Sequence, residues 1–414
     1  MSVSVRRFQW WKRAAIFFAV MGPGIITANV DNDAGGITTY SLCGANFGYT
    51  LLWSLIPIGI LLIMVQEMCN RMGVVTGKGL SSLIRERFGL KITFYLMLGL
   101  LFTNLGNIIA EFAGIAASME LFGISKYISV PISAGFVWWL VTKGTYRSVE
   151  KAFLVACLFY LAYVVSGFLA KPDWGEVAKC TLIPQFQLKG PYLIMLVGLI
   201  GTTIAPWMQF YQQASVVEKG IKIEDYKYSR WDTIIGGVVV TVIAFFIIVV
   251  CGATLFKSGI TIHTAKDAAM ALKPLAGEHC MVLFAIGLLV ASLFAASILP
   301  LATSFFVCEA FGYESGVNKT FSEAPQFYIL YSILIIIGGG IILFPNAPLI
   351  PIMLISQVIN GVMLPFILVA MILLVNNVKL MGSYVNSKFY NYFSWIAAAI
   401  ISVLSIVMIV FLFL

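Results

Sequence analysis

The chain has 414 residues, of which 60% are hydrophobic and 11% charged, and its formal net charge is +8. Soluble domains carry about 25% charged residues to wet their surface, so this composition excludes a soluble globular protein. The positive charge does not imply a nucleic-acid partner, because the basic residues sit in short loops between apolar runs, where they set membrane orientation.

Eleven apolar stretches are long enough to cross roughly 30 Å of hydrocarbon. They run over 14–43 (interrupted), 49–69, 92–122, 128–144, 150–170, 190–217 (interrupted), 231–256, 278–311, 326–344, 347–376 and 389–413. The tail 1–13, with Arg6, Arg7, Lys12 and Arg13, has the basic start of a signal peptide. The apolar run from Ala14 nevertheless continues through Gly22-Pro23-Gly24 to Asp31 and Asp33 with no small-residue cleavage pattern, so it reads as the first span. In span 1 the apolar character stops at Val30, gives way to Asp31-Asn32-Asp33-Ala34-Gly35-Gly36, and then resumes. Glu67 ends span 2, and Glu111 and Glu120 lie in span 3; Glu67 and Glu120 read as snorkelling or pairing groups. Trp138-Trp139 reads as part of an interface belt. Span 6 breaks at Gly201-Thr202-Thr203-Ile204-Ala205-Pro206 and resumes at Trp207. The two histidines, His263 and His279, fall in or near the loop between spans 7 and 8. Seven cysteines (43, 69, 157, 180, 251, 280 and 308) show no CxxC spacing and read as small core residues, with neither a disulfide framework nor a zinc site expected.

Placing the N-terminus in the cytoplasm puts nineteen Lys and Arg residues inside and seven outside, with the C-terminus outside. The breaks fall five spans apart. That placement predicts an all-α transporter with a five-plus-five inverted repeat: 14–170 (spans 1–5), 190–376 (spans 6–10) and an additional span 389–413, with substrate bound where two discontinuous helices meet. Freed carbonyls in a bilayer are tolerated where they line a cavity or bind an ion. A carboxylate at that depth costs several kcal/mol unless compensated, so Asp33 is the leading ligand for a cation. The alternative is that Asp31 and Asp33 cap the helix starting near Ala34, a reading as good as the functional one for Asp31. Asn29 and Asn32 either ligate or satisfy loosened backbone, the second being favoured.

The runs Gly22-Pro23-Gly24, Asp33-Ala34-Gly35-Gly36 and Phe47-Gly48-Tyr49-Thr50-Leu51-Leu52-Trp53 resemble the NRAMP family of divalent-metal transporters. In that family the first broken helix carries Asp-Pro-Gly-Asn, followed at the same distance by Phe-Gly-Tyr-Thr-Leu-Leu-Trp. Span 6 is similar to the family's Gly-Ala-Thr-Val-Met-Pro-His-Asn, and spans 8 and 10 (Leu283–Leu289; Ser356-Gln357-Val358 and Leu364-Pro365-Phe366) also resemble it. The resemblance covers spans 1 to 10 and implies the LeuT-type fold. It also implies ligation by the Asp33 carboxylate and the carbonyls of Val30 and Thr202, with Gln357 joining as the site closes; an inter-helix hydrogen bond is the alternative role for Gln357. Gly36 and Ala205 line the space, and Asn360 faces it through water.

The departures from the family pattern shift the expected substrate. The family's Asn and Met ligands are replaced by Gly36 and Ala205. Thioether sulfur suits transition metals and offers nothing to a hard ion. Mg²⁺ dehydrates reluctantly and keeps several waters, so a roomier oxygen-only site suits it. The resemblance therefore points to an NRAMP-related magnesium transporter that also passes Mn²⁺. The family's proton route uses a span-6 His, here Trp207, and a span-3 acid pair, here Glu111 and Gly114. With one acid left and no membrane-embedded His, proton coupling is expected to be weak or absent, and Trp207 packs the inner vestibule or gates it. No cofactor beyond the transported ion and no obligate protein partner are expected. Short tails suggest a prokaryotic plasma membrane. Competing readings are a proton-coupled Mn²⁺/Fe²⁺ symporter, an amino-acid transporter of the same fold, whose substrate carboxylate Asp33 would repel, and a membrane scaffold or sensor. An enzyme is not expected, since no nucleophile–base pair or phosphate loop is found.

Overall fold

The computed structural model describes Gly24, Thr27 and residues 30–143, 157–317 and 319–413. The tail 1–13, most of the first half of span 1 including Gly22, Pro23 and Asn29, and the residues 144–156 that open span 5 lie outside the described residues. The main helices, in chain order, are α1 (Ala34–Phe47), α2 (Leu52–Thr76), α3 (Leu80–Glu120), α4 (Lys126–Lys143), α5 (Leu161–Leu169), α6 (Gly190–Thr203), α7 (Pro206–Glu218), α8 (Tyr226–Cys251), α9 (Cys280–Phe311), α10 (Pro325–Ile342), α11 (Leu349–Val375) and α12 (Lys388–Phe413). Among the described residues there is no strand.

Eight helical stretches are long and apolar enough to cross a membrane: α2, α3, α6 with α7, the stretch Ile223–Phe256 around α8, the stretch Ala265–Phe311 ending in α9, α10, α11 and most of α12. They coincide with predicted spans 2, 3 and 6 to 11. Spans 1, 4 and 5 are represented among the described residues by α1, α4 and α5, which are not among those eight stretches. The helix of span 3 starts at Leu80, well before the predicted 92, and turns at Gly89, where φ is +77°. Its first segment carries Arg85, Glu86 and Arg87 yet buries Leu80, Leu83 and Ile84. It is therefore helical and packed, but too charged to read as a membrane span.

The burial pattern is that of a bilayer protein. On α12, Ile396, Ile400, Val403, Ile406 and Val410 are exposed at helical spacing, while Ala398, Ile401, Ser405 and Met408 are buried. An apolar face of that extent would be a liability in water and is what hydrocarbon covers. The polar side chains lie inside: Asp31, Asp33, Asn104, Asn107, Glu111, Gln357 and Asn360 are all buried.

The most extensive helix contacts join α3 to α9 and α11, and α6 to α11. Glycines permit the closest of them. A Cβ on Gly361 would lie 2.7 Å from Val197 Cγ1, and one on Gly201 would run into the backbone of Gln357 and Gly361. The α6 backbone thus rests on α11 beside Gln357, a small-residue contact of the kind that holds membrane helices together. At the far end of α2, Glu67 pairs with Arg71 at 3.3 Å and accepts from the Tyr226 hydroxyl, and Arg71 donates to Asn386 Oδ1. Glu67 therefore pairs, as expected, and Glu120 is exposed. The six cysteines with described side chains are free and buried.

Candidate metal site

Each of the two breaks deprives a carbonyl of its helical donor. At the first, Ala34 N–H, which an unbroken helix would give to Val30, is donated to Glu111 Oε2 at 3.3 Å. At the second, the donor for Thr202 would come from Pro206, which has no N–H. α6 ends at Thr203 and α7 starts at Pro206, with Ala205 extended between them (φ −63°, ψ 135°). Carbonyl-bearing helix C-termini of this kind carry partial negative charge, which suits a cation.

Asp33 is the N-cap of α1. Its backbone is extended, and its Oδ1 accepts from Gly36 N–H at 2.7 Å. The capping reading of Asp33 is therefore met, and the cap fixes the carboxylate at the break. The Glu111 carboxyl adjoins it. Gly36 is where the oxygens converge. The point that a Cβ on Gly36 would occupy is 2.6 Å from the Asp31 carbonyl oxygen, 3.4 Å from Thr202 Oγ1 and 3.5 Å from Asp33 Oδ1. Both broken helices therefore present oxygen to the side-chain-free face of residue 36, where a Cβ would not fit. Thr202 Oγ1 is buried with no hydrogen-bond partner, whereas Thr203 Oγ1 pairs with the Tyr40 hydroxyl at 2.8 Å.

Asp31 does not cap the helix. Its side chain is buried, and neither carboxylate oxygen has a hydrogen-bond partner among the described residues. The Asn32 amide is likewise unpartnered, so it does not satisfy loosened backbone as favoured above; the Tyr160 hydroxyl does that, donating to the Asn32 carbonyl at 2.5 Å. Among the described residues no Lys, Arg or His forms a salt bridge with Asp31, Asp33 or Glu111. Three buried carboxyl groups without a basic partner must be protonated or matched by a bound cation. No three His, Cys, Asp or Glu side chains among the described residues cluster closely enough to hold a metal. A ligand set here must draw on carbonyl, hydroxyl and amide oxygens.

The remaining expected residues fall around this space. Val30 and Ala205 are buried at the two breaks. The Gln357 amide lies against Gly35, with Nε2 nearest. Asn360 Nδ2 donates to Gln357 Oε1 at 2.8 Å. Gly114 packs against Ala34 Cβ and Ser292 Oγ, leaving no room for a second acid on α3. Trp207 is 1% exposed and packs near Tyr211, with ring centroids 6.1 Å apart. Sequence reasoning missed Asn104, Asn107 and Ser292. Asn104, Asn107 and Glu111 stand at i, i+3 and i+7 of span 3, and that polar stripe in an apolar helix was the available signal.

Residues 24–411 match the family model described as natural resistance-associated macrophage protein-like (Nramp). The divalent metal cation transporter MntH of Bacillus subtilis is 27% identical over 94% of this chain and 91% of its own length. A manganese transporter of Eremococcus coleocola superposes with a TM-score of 0.79 at 22% identity, covering 96% of this chain and 86% of that one. The nucleobase-cation-symport-1 family transporter Mhp1 superposes with a TM-score of 0.54 at 14% identity, over 94% of this chain and 90% of that one.

Proposed function

From the premise that this chain belongs to the Nramp family, we propose that it carries divalent metal cations across a membrane, with Mg²⁺ the preferred substrate and Mn²⁺ also passing. The convergence of Asp33 Oδ1, the Asp31 carbonyl and Thr202 Oγ1 beside Gly36 carries this reading. The ligands are the Asp33 carboxylate and the carbonyls of Val30 and Thr202, with Gln357 joining on closure; the Asp31 carbonyl and Thr202 Oγ1, which face the same point, line it. The set is all oxygen, and that is the chemistry a hard ion takes. Family membership and the MntH relative support divalent cations as the class. The Gly36 and Ala205 positions support the preference for Mg²⁺.

Transport proceeds by alternating access in a LeuT-type frame of two inverted five-span repeats with one added span, the N-terminus cytoplasmic. Overlap with two separate transporter structures supports the frame, and the paired breaks support the repeat. Proton coupling is weak or absent, since the span-6 histidine is Trp207 and Gly114 is packed shut. A divalent ion gains about 4.6 kcal/mol per 100 mV of inside-negative potential, twice the single-charge value, so uptake needs no second ion. Mg²⁺ uptake into proteoliposomes tests the proposal: the wild type fills them and Asp33→Asn does not. Absence of Mg²⁺ uptake by folded wild type would overturn it.

A further inference from the structure

A chain of buried neutral amides leads away from the site across three helices. On α11, Asn360 Nδ2 donates to Gln357 Oε1 at 2.8 Å and to Asn107 Oδ1 on α3 at 2.9 Å. Asn107 Nδ2 returns a bond to Asn360 Oδ1 at 3.0 Å and donates to Asn104 Oδ1 at 3.2 Å. Asn104 Nδ2 donates to the Leu299 carbonyl on α9 at 3.0 Å and to Thr303 Oγ1. Gln357, Asn360, Asn107 and Asn104 are each at most 1% exposed. Every amide hydrogen of the three asparagines has an acceptor, and a fully satisfied polar network of this kind is rigid.

The consequence falls on Gln357. Its only side-chain atom able to ligate a cation is Oε1, and Asn360 holds that atom. Its Nε2 donates to Ser356 Oγ at 3.1 Å and is the part of the amide nearest Gly35. The side chain thus turns N–H towards the break and its oxygen away. We propose that Asn360, braced by Asn107 and Asn104, is a positioning residue that parks the Gln357 oxygen off the cation and so sets the affinity of the site. To ligate, Gln357 rotates its amide, breaks the bond from Asn360 and offers Oε1 to the ion. The inference rests on the reading of Gln357 as a ligand.

One uncharged hydrogen bond is worth about a factor of five in an equilibrium. The test is a double-mutant cycle in proteoliposomes that reads the KM and maximal rate of Mg²⁺ uptake. The Asn107→Leu/Asn360→Leu pair removes both sides of the clasp and leaves no half-satisfied amide between them. It is expected to lower KM about fivefold in the wild-type background and to leave KM unchanged in the Gln357→Ala background. A KM that is unchanged or raised in the wild-type background overturns the proposal, as does an equal shift in both backgrounds, since a structural role would act without Gln357. If Gln357→Ala alone leaves KM unaltered, the ligand role itself fails and the clasp with it. Asn360→Ala carries the same comparison should the leucine pair not fold.

Discussion

Gly36→Ala puts a methyl group into the space where the two breaks meet. That methyl would stand 2.6 Å from the Asp31 carbonyl oxygen, closer than side-chain carbons approach, and 3.5 Å from Asp33 Oδ1. Overpacking on this scale costs about 1–3 kcal/mol, which corresponds to roughly a five- to 150-fold effect where the strain falls on ion binding. The clash exists without the ion, so the fold bears it too, although two features offset part of it. Residue 36 lies in the first turn of α1, where Ala is better than Gly by about 0.5–1 kcal/mol, and Ala keeps the N–H that bonds Asp33. The expected outcome is a fall in Mg²⁺ uptake of roughly five- to 150-fold, with a modestly lowered melting temperature in detergent, since the helix preference for Ala offsets only part of the strain. The assay pairs initial-rate flux into proteoliposomes with a melting curve of the same preparation. Wild-type KM and rate in Gly36→Ala would refute the idea that this space holds the ion.

Asp33 separates capping from ligation. Asp33→Ala should lose both transport and about 1 kcal/mol of helix stability, while Asp33→Asn, itself a good N-cap, should keep the stability and lose the transport; flux and melting temperature read the two arms. Gly36→Asn/Ala205→Met restores a soft sulfur and fills the space, and should move the Mn²⁺ to Mg²⁺ uptake ratio towards Mn²⁺, as measured by competition flux. Glu111→Gln keeps an acceptor for Ala34 N–H, so Mg²⁺ uptake should persist; abolition would make Glu111 part of the ion or proton route.

Eight of the apolar spans, both breaks and the place of Asp33 were legible in the sequence, because each depends on local composition: apolar runs, paired glycines, a proline without its N–H. The azimuth of each side chain was not. Asn104 and Asn107 could be seen as polar residues in an apolar helix, but their meeting with Asn360 depends on how α3 rotates against α11. The Asn32 amide was expected to serve the backbone, and the Tyr160 hydroxyl does so from a distant helix. The loss of the second acid at Gly114 was visible as a substitution. Its physical reason, direct packing of α3 on Ala34 and Ser292, came only with the fold. The amphipathic start of α3 escaped because its charges mask its buried Leu80, Leu83 and Ile84.

The central claim is uncoupled Mg²⁺ transport through an oxygen-lined site. Wild-type protein in liposomes held at a fixed inside-negative potential, with internal Mg²⁺, Mn²⁺ and pH followed together, tests it most directly. Both metals should enter while the internal pH stays constant. Mn²⁺ uptake without Mg²⁺, or acidification that tracks the metal, would contradict it.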